Sequence, residues 1–210
     1  MRMDYKTVKH QSETEIIINK SRFITSVKRT ETEQEALDFI REIKQAHPSA
    51  NHNCSAYLIG EHDHIQKAND DGEPSGTAGF PMLEVLKKQG LKDTTVVVTR
   101  YFGGIKLGGG GLIRAYGRST SEGVAAAGTV ERVLHRTMCV TVDYTALGKV
   151  ENEVRQSAWP LEHIEYGEQV TLFILVPISD LDTFHTWIAD LTNGQGEIAM
   201  GDQKFLEFSV

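Results

Sequence analysis

Arg100, Lys106, Arg114 and Arg118 stand in a stretch, Thr94 to Ser121, that holds no acidic side chain, although the chain's formal net charge is −7. Seven of its 19 glycines lie between residues 103 and 117. Gly108, Gly109 and Gly110 come just before Leu112 and Ile113, so the pattern reads as a strand, a glycine loop and then a helix. Backbone N–H groups in such a loop can approach a ligand closely, and the helix start adds the positive end of its dipole. Arg114 and Arg118 are one turn apart and project from one side of that helix. An anion is the natural guest. Tyr101, Phe102 and Tyr116 flank the basic residues, the mix expected where bases stack beside phosphate contacts, although Phe102 reads better as a core aromatic. Packing is the competing account: Ala115, Ser119, Gly123 and Ala127 form a ridge of small residues suited to close contact with a sheet. That ridge explains the helix but not the missing acids. No Gly-Lys-Ser/Thr follows the loop, and Ile113 stands where the last glycine of a dinucleotide fingerprint would fall, so nucleoside-triphosphate chemistry is not expected.

A second constellation runs from Asn69 to Gly79. Asp70, Asp71 and Glu73 lie beside Ser75 and Thr77, so the segment could hold a hard cation or supply acid–base groups. The same residue types cap turns and helix starts. The spacing is not that of a helix–loop–helix calcium site, and no metal and no cofactor are expected. His52 and Cys54 share a strand face, which makes a thiol–imidazole pair conceivable. Ala56 and Leu58 carry that face into apolar surroundings, however, which favours a half-buried histidine beside a core cysteine. His62 and His64 read as surface residues of a hairpin.

The elements that must position these groups can be followed along the chain. A strand is expected over Glu15 to Lys28. A helix follows, with overlapping capping boxes at Thr30…Glu33 and Thr32…Glu35 and an apolar face of Ala36, Leu37, Ile40 and Ile43. His47-Pro48 ends it. Asn51 to Ile59 alternates as a strand, residues 60–79 are turn-rich, and Pro81 to Lys88 reads as a short helix. The next strand, Thr94 to Phe102, leads into the glycine loop. Gly128 to His135 reads as the junction between domains, placed at 1–130 and 136–210. The second domain runs strand (138–144), helix (146–157), strand (161–166), strand (170–177), helix (180–192) and strand (196–208). That is the ferredoxin-like βαββαβ order. Trp159 and Trp187 are expected between its helices and sheet.

Composition sets the remaining bounds. The chain has 210 residues, 40% hydrophobic and 24% charged, which is ordinary for a globular protein able to bury a core. The N-terminus from Met1 to Lys6 lacks a signal-peptide pattern and no apolar run reaches membrane-spanning length, so a cytoplasmic protein without membrane contact is expected. Two cysteines make neither a disulfide framework nor a zinc spacing. Residues 1–130 hold 17 basic and 16 acidic side chains, whereas residues 131–210 hold 5 and 13. The acidic C-terminal part is poorly suited to non-specific polyphosphate binding.

The motifs Asp70 through Gly79 and Arg100 through Gly108, with Arg114-Ala115-Tyr116-Gly117 and His52-Asn53-Cys54, resemble the IMPACT family over residues 50–120. The two-domain layout resembles its bacterial branch. The resemblance implies an α+β protein. Its N-terminal domain would share the fold of a ribosomal small-subunit protein and the fourth domain of elongation factor G. Its ferredoxin-like C-terminal domain would be similar to that factor's fifth domain. Eukaryotic relatives are linked to translational control through protein partners, and no catalytic residues carry over. The expected function is therefore a non-enzymatic binding protein in regulation of translation. It would contact RNA, the ribosome or a translation-associated protein through Arg100, Lys106, Gly108, Gly109, Gly110, Arg114 and Arg118. A metal-assisted hydrolase built on the 70–77 loop and a pure protein-interaction module are the alternatives.

Overall fold

The computed structural model describes residues 4–60 and 62–210, so Met1 to Met3 of the N-terminus discussed above lie outside the described residues. Contacts divide the chain into two compact units, Tyr5–Glu131 with Phe208–Val210, and Arg132–Glu207 with Asp4. Both mix helices and strands.

In the first unit, strands β1 (Tyr5–Val8), β2 (Ser12–Ile18) and β3 (Ser21–Arg29) precede helix α1 (Glu33–Ala46). Then come β4 (His52–Ile59), β5 (Ile65–Asn69), α2 (Gly79–Lys88), β6 (Thr94–Tyr101) and α3 (Gly109–Ala127). Five strands form one antiparallel sheet in the order β2-β3-β6-β4-β5. The single strand expected over Glu15 to Lys28 is a hairpin instead. Asn19 and Lys20 turn it with φ of 47° and 63°, both left-handed as a two-residue hairpin turn requires, but without the Asn-Gly signature that announces one. Strand β5 was likewise not expected, because Ile65 is its sole large apolar residue.

Both faces of this sheet are covered. Leu112, Ala115, Tyr116, Val124 and Ala127 of α3 and Met82, Leu83 and Leu86 of α2 pack against Phe23, Val27, Cys54, Ala56, Leu58, Val96 and Val98. Ala36, Phe39 and Ile43 of α1 cover the other side against Tyr57, Ile59 and Val97. Strands β4 and β6 are thus buried on both faces, and the three consecutive valines of β6, Val96 to Val98, suit that position. On α1, Phe39 takes the central place and Leu37 is 43% exposed. Of the two capping boxes, Thr32 forms the functioning one, its Oγ1 accepting from Glu35 N at 3.2 Å. Thr30 turns inward to Thr95, with 2.7 Å between their hydroxyl oxygens.

The small-residue ridge of α3 lies against β3. A Cβ on Gly123 would stand 2.5 Å from Thr25 Cγ2 and 3.0 Å from Val27 Cγ2, closer than carbon atoms pack, so glycine sets the helix–sheet spacing there.

The division between Glu131 and Arg132 falls within β7 (Thr129–Val142), a continuous strand. It is followed by α4 (Tyr144–Gln156), β8 (Leu161–Tyr166), β9 (Val170–Pro177), α5 (Leu181–Leu191) and β10 (Glu197–Ser209). Their sheet order β10-β7-β9-β8 is that of the split βαββαβ motif. Val150, Val154, Phe184 and Ile188 from the two helices bury against Met138, Val140, Leu172 and Ile174. Trp159 packs 5.1 Å from both Phe184 and Trp187. Asn193 and Gly194 stop α5 in left-handed geometry, Gly194 N donating to Ala189 O at 2.7 Å.

Candidate functional site

The 70–79 loop is built by its own carboxylates. Ala78 N and Gly79 N donate to Asp70 Oδ1 at 3.0 and 2.8 Å, and Gly76 N donates to Oδ2 at 2.8 Å. Asp70 therefore caps α2 from outside the helix, where Ala78 at the N-cap position has no side chain able to do so. Asp71 holds a left-handed φ of 45°. Its carboxylate accepts from Lys44 Nζ at 2.7 Å and from Asn53 N at 2.7 Å. Burial pushes the Asp71 carboxyl up, but these two bonds and the Lys44 charge outweigh it and hold the group below its ordinary value. Thr77 donates to Pro74 O at 2.6 Å, and Ser75 faces solvent.

Glu73 points the other way, inward. It is 8% exposed, and its Oε1 accepts from Arg100 Nη1 at 2.6 Å and from Tyr116 Oη at 2.8 Å. Arg100 Nη2 reaches Ser21 Oγ at 3.4 Å, and the guanidinium lies over Phe23 and Phe102, 5.4 and 5.5 Å from the ring centres. His52 Nδ1 donates to Asp71 O at 2.9 Å, a role fixed by the carbonyl acceptor. Its Nε2 stands 3.8 Å from Glu73 Oε2.

The thiol–imidazole pair does not form. Cys54 Sγ lies 3.0 Å from Asp70 O and 3.3 Å from Tyr116 Oη, and its one proton serves these acceptors. Burial, reinforced by the carboxylates of Glu73, Asp71 and Asp70, pushes the thiol up to about 12 against the Tyr116 hydrogen bond. Burial, then Cys54 and Glu73, push the Tyr116 hydroxyl far up as well. Cys54 stays a thiol at neutral pH and is no nucleophile. Among the described residues no three His, Cys, Asp or Glu side chains converge on a metal-sized space.

The glycine loop sits next to this network. Phe102 N donates to Asn51 Oδ1 at 2.8 Å, and Gly103 passes so close to the β2–β3 turn that a Cβ would fall 2.0 Å from Lys20 C. Gly108, with φ of 71°, starts α3. The first helical bond is Leu112 N to Gly108 O, so the N–H groups of Gly109, Gly110 and Gly111 precede it, and no side chain caps them. The first turn carries no acid. Beside it opens a cavity of about 390 Å³ whose lining includes Glu73, Arg100, Phe102, Lys106 and Gly109. A second cavity of about 370 Å³ is lined by Asn19, Gly111, Arg114 and Arg118, and Leu107 borders both.

Lys106, Gly108, Gly109, Gly110, Arg114 and Arg118 are exposed in the glycine loop and along α3. Arg100 is not among them. It is 5% exposed and ion-paired, so it cannot serve as a surface contact for a polyanion. Arg118 is compensated by Glu122, just beyond the acid-free stretch, at 2.7 Å. Tyr116 is fully buried and stacks on no ligand; its ring meets Phe23 edge-on at 5.4 Å. Phe102 reverses the other way, 45% exposed rather than core. Beside Phe102, the walls are formed by Pro74, Leu107 and Leu112; for Pro74 and Leu107 the sequence held no such signal, because isolated apolar residues in a loop carry no periodicity.

Comparison with known proteins agrees with this architecture. Residues 19–124 match the Impact N-terminal domain, and residues 140–195 match a domain of unknown function, DUF1949. The first match contains the motif loop, the cavity and α3 up to Val124. The chain is 59% identical over 206 residues to the IMPACT family member YvyE of Bacillus subtilis (strain 168), covering 98% of this chain and 95% of that protein. It is 35% identical over 179 residues to the IMPACT family member YigZ of Escherichia coli (strain K12), covering 84% and 88%. A solved structure titled "Crystal structure of an hypothetical protein" superposes with a TM-score of 0.60 at 30% identity, covering 96% of this chain and 99% of that one. This chain belongs to the IMPACT family.

Proposed function

We propose that this protein is a non-enzymatic, cytoplasmic binding protein acting in regulation of translation, and that the face formed by its glycine loop and α3 takes the phosphates of RNA. The observation that carries this reading is the start of α3. Three glycine N–H groups precede the first helical bond, no side chain caps them and no acid occupies the first turn. Lys106 is exposed in the loop before them and Arg114 one turn on. Uncapped N–H donors with cations alongside form an anion site. The family's link to translation and the elongation-factor-like fold it implies point to RNA as the anion. The hydrolase alternative is disfavoured because Asp70, Asp71 and Glu73 already bond the protein's own donors.

The test is RNA binding by the double variant Arg114→Ala with Arg118→Ala across a salt series. Affinity should fall for all sequences. The log–log salt slope should shrink by about 1 unit, since each single-strand phosphate contact releases about 0.7 counterion and Glu122 already offsets Arg118. An unchanged slope overturns the RNA reading. Salt-insensitive sedimentation with ribosomal fractions would favour the protein-interaction module.

A further inference from the structure

The cavity beside α3 presents two kinds of surface. Lys106, Gly108 and Gly109 line it with positive charge and the unbonded start of the helix, while Pro74, Phe102, Leu107 and Leu112 line it with apolar groups. A bare phosphate would use the first and leave the second wet. Phe102 is 45% exposed, and the backbone that carries it is tied down. Its N–H is bonded to Asn51, the Arg100 guanidinium lies 5.5 Å from its ring centre, and Gly103 packs against the Lys20 backbone. A half-exposed aromatic ring on an anchored backbone offers a face for stacking. Arg100 also lines the cavity, and although Nη1 and Nη2 are engaged, its buried Nε has no hydrogen-bond partner. That leaves one buried donor of the cavity wall without a protein acceptor. A volume of about 390 Å³ suits one small molecule rather than a strand.

We infer that this cavity takes a single nucleotide unit, its base stacked on Phe102 and its phosphate held by Lys106 and the N-terminus of α3. The inference rests on the RNA reading above and narrows it. Arg114 and Arg118 line the neighbouring cavity and follow the backbone, while the α3 cavity takes one nucleotide, either the end of an RNA strand or a free nucleoside monophosphate.

The experiment is calorimetric titration of the full chain with AMP, ribose 5-phosphate and inorganic phosphate, repeated on Phe102→Leu and Lys106→Ala. Phe102→Leu keeps an apolar side chain but removes the ring, and melting temperatures confirm that each variant is folded. AMP should bind at least about tenfold more tightly than ribose 5-phosphate, and Phe102→Leu should abolish that margin, the size expected for one stacked base. Lys106→Ala should weaken all three ligands. AMP binding no better than ribose 5-phosphate, or unchanged by Phe102→Leu, overturns the inference. Competition by a 5′-phosphorylated hexanucleotide but not by its 5′-hydroxyl form assigns the site to RNA ends; competition by neither assigns it to free nucleotide. The arginine double variant separates the two readings. If its RNA salt slope falls while AMP fails to bind, the nucleotide pocket alone is wrong; if AMP binds and RNA does not, the RNA reading alone is wrong.

Discussion

Arg100 Nη1 and Glu73 Oε1 stand 2.6 Å apart, and both side chains are nearly withdrawn from water. The pair joins the two motifs, Arg100 from the end of β6 and Glu73 from the loop before α2, and Tyr116 of α3 donates to the same carboxylate oxygen. Removing one member of a buried pair strands the other. Glu73→Ala should therefore lower unfolding stability by about 3–5 kcal/mol, read from urea denaturation. Adding Arg100→Met should cost less than the sum of the single changes, because no charge is then left unpaired. A loss below about 1 kcal/mol in Glu73→Ala would mean that the pair is replaceable by solvent.

Asp71 offers a charge-linked test. Asp71→Asn should lower stability by about 1 kcal/mol, through weaker bonds to Lys44 and Asn53 N. The carboxyl is held below its ordinary value in the folded chain. Its stabilising contribution is thus present above the unfolded value, near 3.8, and is lost as pH falls through the lower folded value. The gap in melting temperature between the native chain and Asp71→Asn should be constant at neutral pH and close below about pH 4. Stoichiometric divalent-metal binding that is lost in Asp71→Asn would instead restore the hydrolase reading.

The two thiols should part company. Cys54 is buried and pushed up to about 12, while Cys139 is only partly covered. At pH 8 a disulfide reagent should label Cys139 alone in the folded chain and both cysteines in denaturant. Because the folded value of Cys54 is raised, its contribution is complete below the unfolded value, about 9, and declines as pH rises towards 12. Cys54→Ala should flatten that alkaline decline.

Two glycines of α3 separate packing from binding. Gly123→Ala should destabilise by about 1–3 kcal/mol, since its Cβ meets Thr25 and Val27 on a strand that cannot yield. Gly110→Ala should be neutral or stabilising, because its Cβ meets just the end of the Arg114 side chain at 3.5 Å. Denaturation curves of the two variants decide it; equal losses would mean that the ridge is not in close contact.

We propose the division at Glu131 as a boundary between two domains. The continuous strand β7 should resist protease between Thr129 and Val142. Mass spectrometry of partial digests checks this, and early cleavage inside β7 would mean that the strand frays.

Sequence by itself determined what depends on local pattern. Helical spacing located α1, α3, α4 and α5. The βαββαβ order followed from the succession of periods, and the acid-free stretch marked the loop and helix face. Tertiary structure decided which way the polar groups turn. Arg100 shares strand parity with Val96 and Val98, so alternation alone aims it at the core, but only the arrival of Glu73 from a distant loop makes a buried guanidinium tolerable. Tyr116 is inward for the same reason, with Cys54 and Glu73 as partners 62 and 43 residues away. Phe102 is left outside because the sheet ends at Tyr101 and Gly103 must pass the hairpin turn. Hydrophobic periodicity is a property of neighbours in the chain, whereas satisfying a buried charge depends on residues that meet only when the sheet is assembled.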